Sequence, residues 1–405
     1  MRSNSWDVVI VGGGLAGSSL ALSLVQHGVR VLILERETVF RDRVRGEGMS
    51  SWGTAEARTL GLDAIIRATC GRELPWIVYQ DASDRDAAPR HRDLMTTTPS
   101  QAGFLAFAYP ELQQVLLVHA EASGAEVWRG AVVTSVSPGH PPTVQVQHGS
   151  QEVELKSQLV VGADGRNSRM RSWAGFQMYR DPDRLVIAST LMRGGKVQRD
   201  AVTKIRNPPV GQAVLVVPLG DDRFRLYLMY RKQGERKHLS GPRQVEAFVH
   251  ACLACGAPAD WFTGAESAGP LAEFEGASAW VEHPYRGGIA LVGDAAGASD
   301  PSFGNGLSLT LRDVRVLRDN LLGQEDREAA GHAYAAEHDH YFGALRRLEG
   351  WFTDLLHEVG PEADTRRARV FPVLDAEPDR LPDIVGLGPD APSDETARRR
   401  LFVEA

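Results

Sequence analysis

The sequence predicts an α/β protein: a Rossmann-like nucleotide-binding domain with an inserted antiparallel-sheet domain and C-terminal helices. Three observations predict it. A strand, a glycine turn, a helix and a second strand follow one another at residues 7–36, alternating strand patterns without helices fill residues 185–231, and buried-strand character returns at residues 288–297. Strand–helix alternation is typical of a parallel sheet, whereas consecutive alternating strands are typical of an antiparallel sheet.

The opening unit begins with a buried strand that runs into a glycine-rich turn. Residues 8–11 are apolar and β-branched, and the next six residues, GGGLAG, fit the pattern G-x-G-x-x-G. In this pattern Gly12 makes the tight turn, Gly14 lets the backbone approach a pyrophosphate, and Gly17 lets the helix pack closely on the strand. A glycine turn without a ligand is the alternative, but the strand, helix, second strand and terminal acid that the motif needs all follow in order.

The helix after the turn and the strand after that helix complete the predicted nucleotide site. The helix begins at Leu15 and Ala16, where its N–H groups and the positive end of its dipole favour a diphosphate. The second strand, residues 31–34, ends in Glu35, which can accept hydrogen bonds from a ribose, and Arg36 adjoins it. Glu at this position favours a free ribose diol over a 2′-phosphate, so the predicted ligand is FAD or NAD and not NADP.

Composition narrows the function classes. The 405 residues are 43% hydrophobic and 24% charged with a formal net charge of −7, which favours a soluble globular protein and argues against nucleic-acid binding. No apolar run reaches the roughly 18–20 residues of a membrane span, and no signal peptide is recognisable. Cys70, Cys252 and Cys255 are too few for a disulfide framework, which indicates a cytoplasmic location. The C-x-x-C of the last two lies in a helical pattern and predicts a packed helix face, so no metal site is expected.

A polar, arginine-rich loop connects the second strand to a helix near Ser51. It is either a solvated surface loop or part of the ligand site. Because Gly-Glu-Gly follows Arg45 directly, the backbone there can pass close to a flat ligand. Arg45 is therefore a candidate contact of a flavin or a phosphate.

The chain order predicts that the nucleotide-binding domain is discontinuous. Strands that lack intervening helices interrupt it, and six prolines in the last 45 residues indicate an extended tail. The predicted boundaries are 1–72, 103–175 and 287–360 for the nucleotide-binding domain, 73–102 and 176–286 for the sheet domain, and 361–405 for the tail.

Two further motifs place an acid and a glycine after an apolar strand. They are Asp164-Gly165 and Gly293-Asp294. Open α/β sheets bind ligands at the carboxyl ends of their strands, and Asp294 can accept from a ribityl or ribose hydroxyl. Taken singly, each acid fits a helix cap or a turn residue better than a ligand contact. Together with the first glycine motif, in this order, they indicate one extended ligand.

The segment after the third motif leads into a helix. Pro301, Gly304, Asn305 and Gly306 lie at its mouth, and the helix beginning near Gly306 directs its positive end toward any anion that forms on a bound ring.

With these motifs the chain resembles the single-component FAD-dependent monooxygenases of the para-hydroxybenzoate hydroxylase fold, which have relatives among flavin halogenases and geranylgeranyl-type reductases. The resemblance implies FAD, with the first glycine motif and Glu35 on its ADP half and the Val133 backbone at its adenine. It also implies Asp164-Gly165 near the pyrophosphate, Gly293-Asp294 at the ribityl chain, and residues 301–306 against the isoalloxazine.

The sequence also departs from that family. Gly297 stands where aromatic hydroxylases usually carry a histidine, and Tyr109 stands where they often carry an arginine that reaches the pyrophosphate. The W-x-W-x-I-P signature of tryptophan halogenases and the Y-x-W-x-F-P signature of prenyl reductases are absent from the sequence. The Gly297 departure weakens the hydroxylase interpretation, and the missing signatures weaken its alternatives.

The function that the resemblance implies is a monooxygenase reaction. NAD(P)H reduces FAD, O2 adds at flavin C4a, and the hydroperoxide hydroxylates or epoxidises a small aromatic or polyketide-like natural product. Tyr227, Met229 and Phe303 are candidate walls of the substrate site, with a core role as the alternative. No catalytic side chain is assigned, and His338 and His340 are expected at the surface. The alternatives are an FAD-dependent reductase, dehydrogenase or halogenase, and a non-catalytic flavin-fold binding protein. The sequence indicates no oligomeric state.

Overall fold

A computed structural model describes residues 6–44, 46–84, 88–232 and 238–404. Its helices, in chain order, are α1 (Leu15–Val25), α2 (Ser51–Thr59), α3 (Leu62–Thr69), α4 (Leu94–Thr97), α5 (Tyr109–Ala122), α6 (Met170–Trp173), α7 (Val245–Ala254), α8 (Gly306–Gly323), α9 (Arg327–Leu356), α10 (Pro361–Ala376) and α11 (Glu395–Phe402). Within these residues, no helix has both the length and the apolar character to cross a membrane.

The strands complete the element order. They are β1 (Trp6–Val11), β2 (Val31–Glu35), β3 (Gly48–Met49), β4 (Gly71–Leu74), β5 (Trp76–Asp81), β6 (Arg90–Asp93), β7 (Phe104–Phe107), β8 (Glu126–Arg129), β9 (Ala131–Ser137), β10 (Thr143–His148), β11 (Gln151–Gly162), β12 (Met178–Arg180), β13 (Leu185–Arg193), β14 (Ala201–Asn207), β15 (Gln212–Gly220), β16 (Arg223–Arg231), β17 (Glu266–Ser267), β18 (Ala272–Gly276), β19 (Ala279–Val281), β20 (Tyr285–Arg286), β21 (Ile289–Leu291) and β22 (Gly297–Ala298).

The first large sheet is parallel at its centre, in the order β21-β11-β1-β2-β8. Val8 of β1 is paired with Val31 of β2 and with Leu159 of β11, and β21 pairs with the far side of β11 in the same direction. The apolar strands are buried on both faces, as parallel strands are. Three separated chain segments therefore bring their carboxyl ends to one edge of one sheet, and the predicted α/β fold class is confirmed.

The second large sheet has the order β17-β13-β16-β15-β14-β5-β6, and β18 also pairs with β13. Its pairs are antiparallel except for β14 and β5, which run parallel. Strand alternation gives it two different faces. The outer face packs on α7, including the buried thiols of Cys252 and Cys255, so the predicted packed helix face is confirmed. The inner face, with Tyr227 and Met229, belongs to a second cluster that faces the nucleotide-binding sheet.

The C-terminal segment differs from the predicted extended tail at 361–405. It contains α10, α11 and two short 3-10 turns between them. Pro361 is at the start of α10, where no N–H is needed for an intrahelical bond, Pro378 begins the first turn, and Pro389 is the second residue of the other turn. Three of the six prolines therefore lie in the first two positions of an element, whereas Pro372 is inside α10 and Pro382 and Pro392 lie in irregular chain. Burial of Val370 and Phe402 against the core holds the segment on the protein.

The other domain boundaries predicted from the sequence stay predictions. What the pairing establishes is that residues 289–291 return to the first sheet after the second sheet has formed. The segment that follows residues 289–291 lies beside the glycine turn of residues 12–17. A ligand site can therefore be built where these two segments meet.

Candidate functional site

The glycine turn between β1 and α1 has two glycines that packing requires and one that packing leaves open. Gly12 has φ +109°, and a Cβ there would lie 2.4 Å from the Ala163 carbonyl oxygen. A Cβ on Gly17 would lie 1.9 Å from the Gly12 oxygen. A Cβ on Gly14 would meet nothing closer than Gln113 at 3.5 Å. Gly14 thus leaves a cradle at the start of α1, where a helix N-terminus attracts anions.

Glu35 ends β2 beside this turn and is 6% exposed. Its Oε2 accepts a hydrogen bond from the Gly13 N–H at 2.6 Å, and its Oε1 accepts one from the Glu37 N–H at 2.7 Å. Each carboxylate oxygen has a further lone pair. The side chain is therefore held in one orientation by backbone donors, with acceptor capacity left for a ribose.

Asp164 follows β11 on the same sheet edge. One carboxylate oxygen accepts from the backbone N–H groups of Arg169 at 2.8 Å and Met170 at 3.2 Å, so the residue acts as a turn and cap residue. The other oxygen, Oδ1, is buried and has no hydrogen-bond partner among the described residues. A buried acceptor without a donor is costly, which points to a missing donor such as a ligand hydroxyl or water.

The third motif is held from behind by a buried network. The Gly293 N–H donates to Asp313 Oδ2 at 2.7 Å, and the Tyr341 hydroxyl donates to Asp313 Oδ1 at 2.6 Å. His338 lies 3.1 Å from the same Oδ1 and is 1% exposed. The prediction that His338 is a surface residue is therefore wrong, whereas His340 is exposed as predicted. The physical reason is that the long helix α9 buries one face along its length. His338 lies on that face, whereas His340, two residues later, does not.

The loop before α8 is fastened to α9. Asp300 caps the turn by accepting from the Ser302 N–H at 2.9 Å, and Gly304 has φ +71°. The Asn305 amide donates to Glu349 at 3.0 Å, and its oxygen accepts from Trp52 at 3.3 Å. The Asn305 side chain thus fixes the mouth of α8 from behind.

One continuous cavity of about 2120 Å³ connects these elements with the inner face of the second sheet. Single ligand sites usually occupy about 300–1,000 Å³, so this volume has room for more than one ligand. The predicted residues that line it are Gly12, Gly14, Leu15, Ala16, Glu35, Arg36, Val133, Asp164, Gly165, Tyr227, Met229, Asp294, Pro301, Phe303, Gly304 and Gly306.

Four predicted residues are not among those lining residues. Gly17, Gly293 and Asn305 lie behind the wall and make the contacts described above. Arg45 lies outside the described residues. Contact of any predicted residue with a cofactor or substrate stays a prediction.

The sequence prediction missed a buried charged cluster over this cavity. Arg225 of β16, 2% exposed, lies 2.8 Å from a carboxylate oxygen of Asp42 and 2.8 Å from one of Glu47. The Tyr227 hydroxyl donates to the other Glu47 oxygen. Burial raises the pKa of Glu47 to about 7, against the opposing effects of the Arg225 charge and the Tyr227 hydrogen bond. The sequence contained one indication of this cluster. Arg225, Tyr227 and Met229 are alternate residues of one strand, so their side chains lie on the same face of the sheet.

The residues fit FAD. The orphaned Asp164 oxygen, the open cradle at Gly14 and the oriented Glu35 carboxylate lie along one wall, in the order that an extended dinucleotide requires. Asp294 and the mouth of α8 continue the same wall toward the second sheet.

Comparison with known proteins supports FAD as the ligand of this wall. The family profile described as FAD binding domain matches residues 5–342 of the 405 residues. Rifampicin monooxygenase of Streptomyces venezuelae is 28% identical over 331 residues, which are 79% of this chain and 65% of that enzyme.

A chlorinase and a second monooxygenase are also similar to the chain. The 1H-pyrrole-2-carbonyl-[peptidyl-carrier protein] chlorinase of Pseudomonas fluorescens is 24% identical over 384 residues, covering 87% of this chain and 83% of the chlorinase. The crystal structure of p-nitrophenol 4-monooxygenase PnpA from Pseudomonas putida superposes with a TM-score of 0.75 at 20% identity, covering 98% of this chain and 97% of that one. At this identity the superposition establishes the fold alone.

Proposed function

Because the chain belongs to the FAD binding domain family, among its para-hydroxybenzoate hydroxylase-like FAD-dependent monooxygenases, we propose that it uses NAD(P)H and O2 to oxygenate a small organic substrate. The enzyme class, an FAD-dependent oxidoreductase, follows from the family. The reductant, the substrate and the type of oxygenation are the proposed part.

One observation carries the proposal. The wall that fits FAD and the inner face of the second sheet belong to a single cavity, so a substrate on the sheet would lie next to a flavin ring at the mouth of α8. Tyr227 and Met229 on the sheet and Phe303 before α8 line that shared space. An aromatic or polyketide-like molecule suits such a partly aromatic lining.

Bound FAD would supply the redox chemistry, taking electrons from the reduced nicotinamide and activating O2. The residues of the chain would bind and orient the cofactor. Gly14 and the first turn of α1 would hold the diphosphate, and Glu35 the adenosine ribose. Asp164 and Asp294 would accept from hydroxyl groups farther along the cofactor.

The C-terminal segment supports the exclusion of water. Leu381, Ile384 and Val385 line the cavity on the side of the second sheet. Arg92 of β6 holds this segment through two hydrogen bonds of 2.8 Å to Asp383. We call residues 377–390 the roof of the cavity; an apolar cover of this kind favours oxygen transfer to the substrate over side reactions with solvent.

Glu47 can hold a proton beside the substrate space. Its pKa of about 7 leaves a substantial protonated fraction at neutral pH, and Glu47 Oε2 accepts from the Tyr227 hydroxyl. Because both residues line the cavity, they are suited to exchange a proton with a substrate hydroxyl at the Tyr227 oxygen.

The test is product analysis under 18O2. The purified protein is loaded with FAD, NADH and NADPH are compared as reductants, and candidate aromatic and polyketide compounds are incubated under labelled oxygen. We expect substrate-stimulated oxidation of the nicotinamide and one labelled oxygen atom in the product. A reduced or dehydrogenated product without label would overturn the proposal.

Halogenation is the second candidate function, because a pyrrole-carbonyl chlorinase covers most of the chain. Adding chloride or bromide to the same incubation distinguishes the two. A halogenated product without labelled oxygen would favour the halogenase. The cytoplasmic location inferred from the cysteines stays a prediction.

A further inference from the structure

Two cations face the cavity from β14. Successive strand residues alternate between faces, so Lys204 and Arg206 lie on one face of the second sheet, and both line the cavity. On the strands beside them, Lys204 is paired with Tyr79 of β5 and Leu215 of β15. Most of the surrounding sheet surface is apolar or aromatic, so the two charges are a local exception.

Three other arginines of the second sheet have acidic partners. Arg92 forms two hydrogen bonds with Asp383, Arg90 lies 3.1 Å from Asp375, and Arg225 contacts two carboxylates as described above. These contacts leave those guanidinium groups neutralised by the protein itself.

Lys204 and Arg206 make no ion pair within the described part of the chain. Both cations lie over aromatic faces: Lys204 Nζ is 5.6 Å from the centre of the Phe303 ring, and Arg206 Cζ is 4.7 Å from that of Tyr79. Arg206 Nε is buried and has no hydrogen-bond partner there. Asp81, opposite Arg206 on β5, accepts instead from the backbone and hydroxyl of Ser83.

Two neighbouring cations without a direct ion pair in the described residues destabilise a protein, because burial disfavours charge and the two charges repel. Burial and the Arg206 charge lower the pKa of Lys204 to about 7, against the opposing effect of the Asp300 carboxylate. Burial likewise lowers the pKa of Arg206. An anion bound between them would relieve both effects.

We propose that Lys204 and Arg206 form an anion-binding subsite, and that the substrate of this enzyme carries a carboxylate or a comparable anionic group. This inference rests on the proposed function, since it specifies the substrate class of the same cavity. Lys204 contacts Phe303, which precedes the mouth of α8, so an anionic group held by Lys204 keeps the rest of the molecule near the predicted flavin ring. The subsite anchors one end of the substrate.

The test measures binding without turnover. The probe is 2-naphthoate, and the neutral control of the same shape is 2-naphthamide. Affinities are measured by isothermal titration calorimetry with FAD-loaded and FAD-free protein in the absence of reductant. We expect the wild type to bind 2-naphthoate at least tenfold more tightly than 2-naphthamide. We also expect Lys204→Met and Arg206→Leu each to remove most of this preference, and Lys204→Arg to retain it.

The control variant is Lys156→Met, which removes an exposed lysine 3.5 Å from Glu154 on β11; we expect it to bind like the wild type. Thermal unfolding checks that the variants fold, and we expect a higher melting temperature for Lys204→Met because it removes a half-buried charge that has no ion pair in the described residues.

Several outcomes would overturn the inference. One is equal binding of the acid and the amide by the wild type, and another is an unchanged preference in both cavity variants. If the variants weaken binding of NADP+ but not of 2-naphthoate, the cations serve the cofactor phosphate and the inference is also wrong. Since no step needs oxygen, a failure of the labelled-oxygen experiment leaves this result interpretable by itself.

Discussion

At the scale of single residues, the glycine turn separates folding from ligand binding. Gly17 has no room for a Cβ because the Gly12 carbonyl oxygen occupies the place, whereas the surroundings of Gly14 leave that place open. The motif therefore serves two physical needs with three chemically identical residues.

Substitution by alanine tests this division. We expect Gly17→Ala to lower the free energy of unfolding by about 2–4 kcal/mol, since a backbone clash forces α1 away from β1. Gly14→Ala is expected to keep the stability of the FAD-free protein within about 1 kcal/mol and to weaken FAD binding at least tenfold. Denaturant unfolding and FAD titration measure the two effects. Tight FAD binding by Gly14→Ala would contradict the placement of the diphosphate.

The buried imidazole of His357 makes the free energy of unfolding depend on pH. It is 2% exposed, and burial, followed by the Lys204 charge, lowers its pKa to about 3. The unfolded chain has a histidine pKa of about 6.5. The folded state therefore stays neutral while the unfolded state takes up a proton, so this contribution to stability is complete above pH 6.5 and is lost as the pH falls toward 3.

The measurement compares wild type with His357→Asn. Between pH 7 and pH 5 we expect the wild type to lose about 2 kcal/mol of unfolding free energy relative to the variant. His340→Asn, at an exposed position of α9, is the control and should follow the wild type. Parallel pH profiles for wild type and His357→Asn would show that the buried imidazole does not titrate as expected.

At the scale of elements, the roof of the cavity comes from a segment far from the glycine turn in sequence. The chain after α10 lies across the second sheet, and Arg92 and Asp383, both about one-quarter exposed, fasten it there. Burial alone would raise the pKa of Asp383, but the Arg92 hydrogen bonds hold it below its ordinary value. The contact is bidentate, which gives it a defined geometry as well as energy.

Removing this fastening should open the roof without unfolding the sheets. For Arg92→Ala we expect a loss of about 1 kcal/mol in global stability and faster hydrogen exchange at residues 377–390. The matched control is Arg90→Ala, whose partner Asp375 is 63% exposed, as measured on its side chain; such surface pairs contribute little. Equal exchange rates in the two variants would mean that the Arg92 contact does not hold the roof.

At the scale of the whole molecule, the fold places two sheets on opposite sides of one cavity. The parallel sheet carries the cofactor wall, and the second sheet carries the charged and aromatic surface that faces it. The hydrophobic clusters behind each wall are separate. A ligand that contacts both walls of the cavity would therefore link the two sheets, each of which packs mainly on its own hydrophobic cluster.

FAD should stabilise the whole molecule by linkage. A ligand that binds only the folded state at 100 times its dissociation constant adds about 2.7 kcal/mol to the free energy of unfolding. We expect thermal unfolding of the protein to shift upward with FAD concentration, and to shift much less with NADP+, for which Glu35 is unsuited. An FAD-independent melting temperature would contradict the cofactor assignment.

The sequence by itself determined the α/β fold, the glycine turn, the acid after the second strand and the order of the later motifs. These follow from local periodicity and from turns that admit only glycine, so neighbouring residues carry the information. His338 was misplaced because the face that a long helix buries depends on its partners.

Only the tertiary structure decided the charge pairing in the cavity. Glu47 and Arg225 are far apart in sequence, and Lys204 is distinctive because no acid among the described residues forms an ion pair with it, while another segment supplies Asp383 to Arg92. Whether a charge is compensated depends on which distant groups arrive within a few ångströms and how much water remains. That is a property of the packed molecule, which no local pattern encodes.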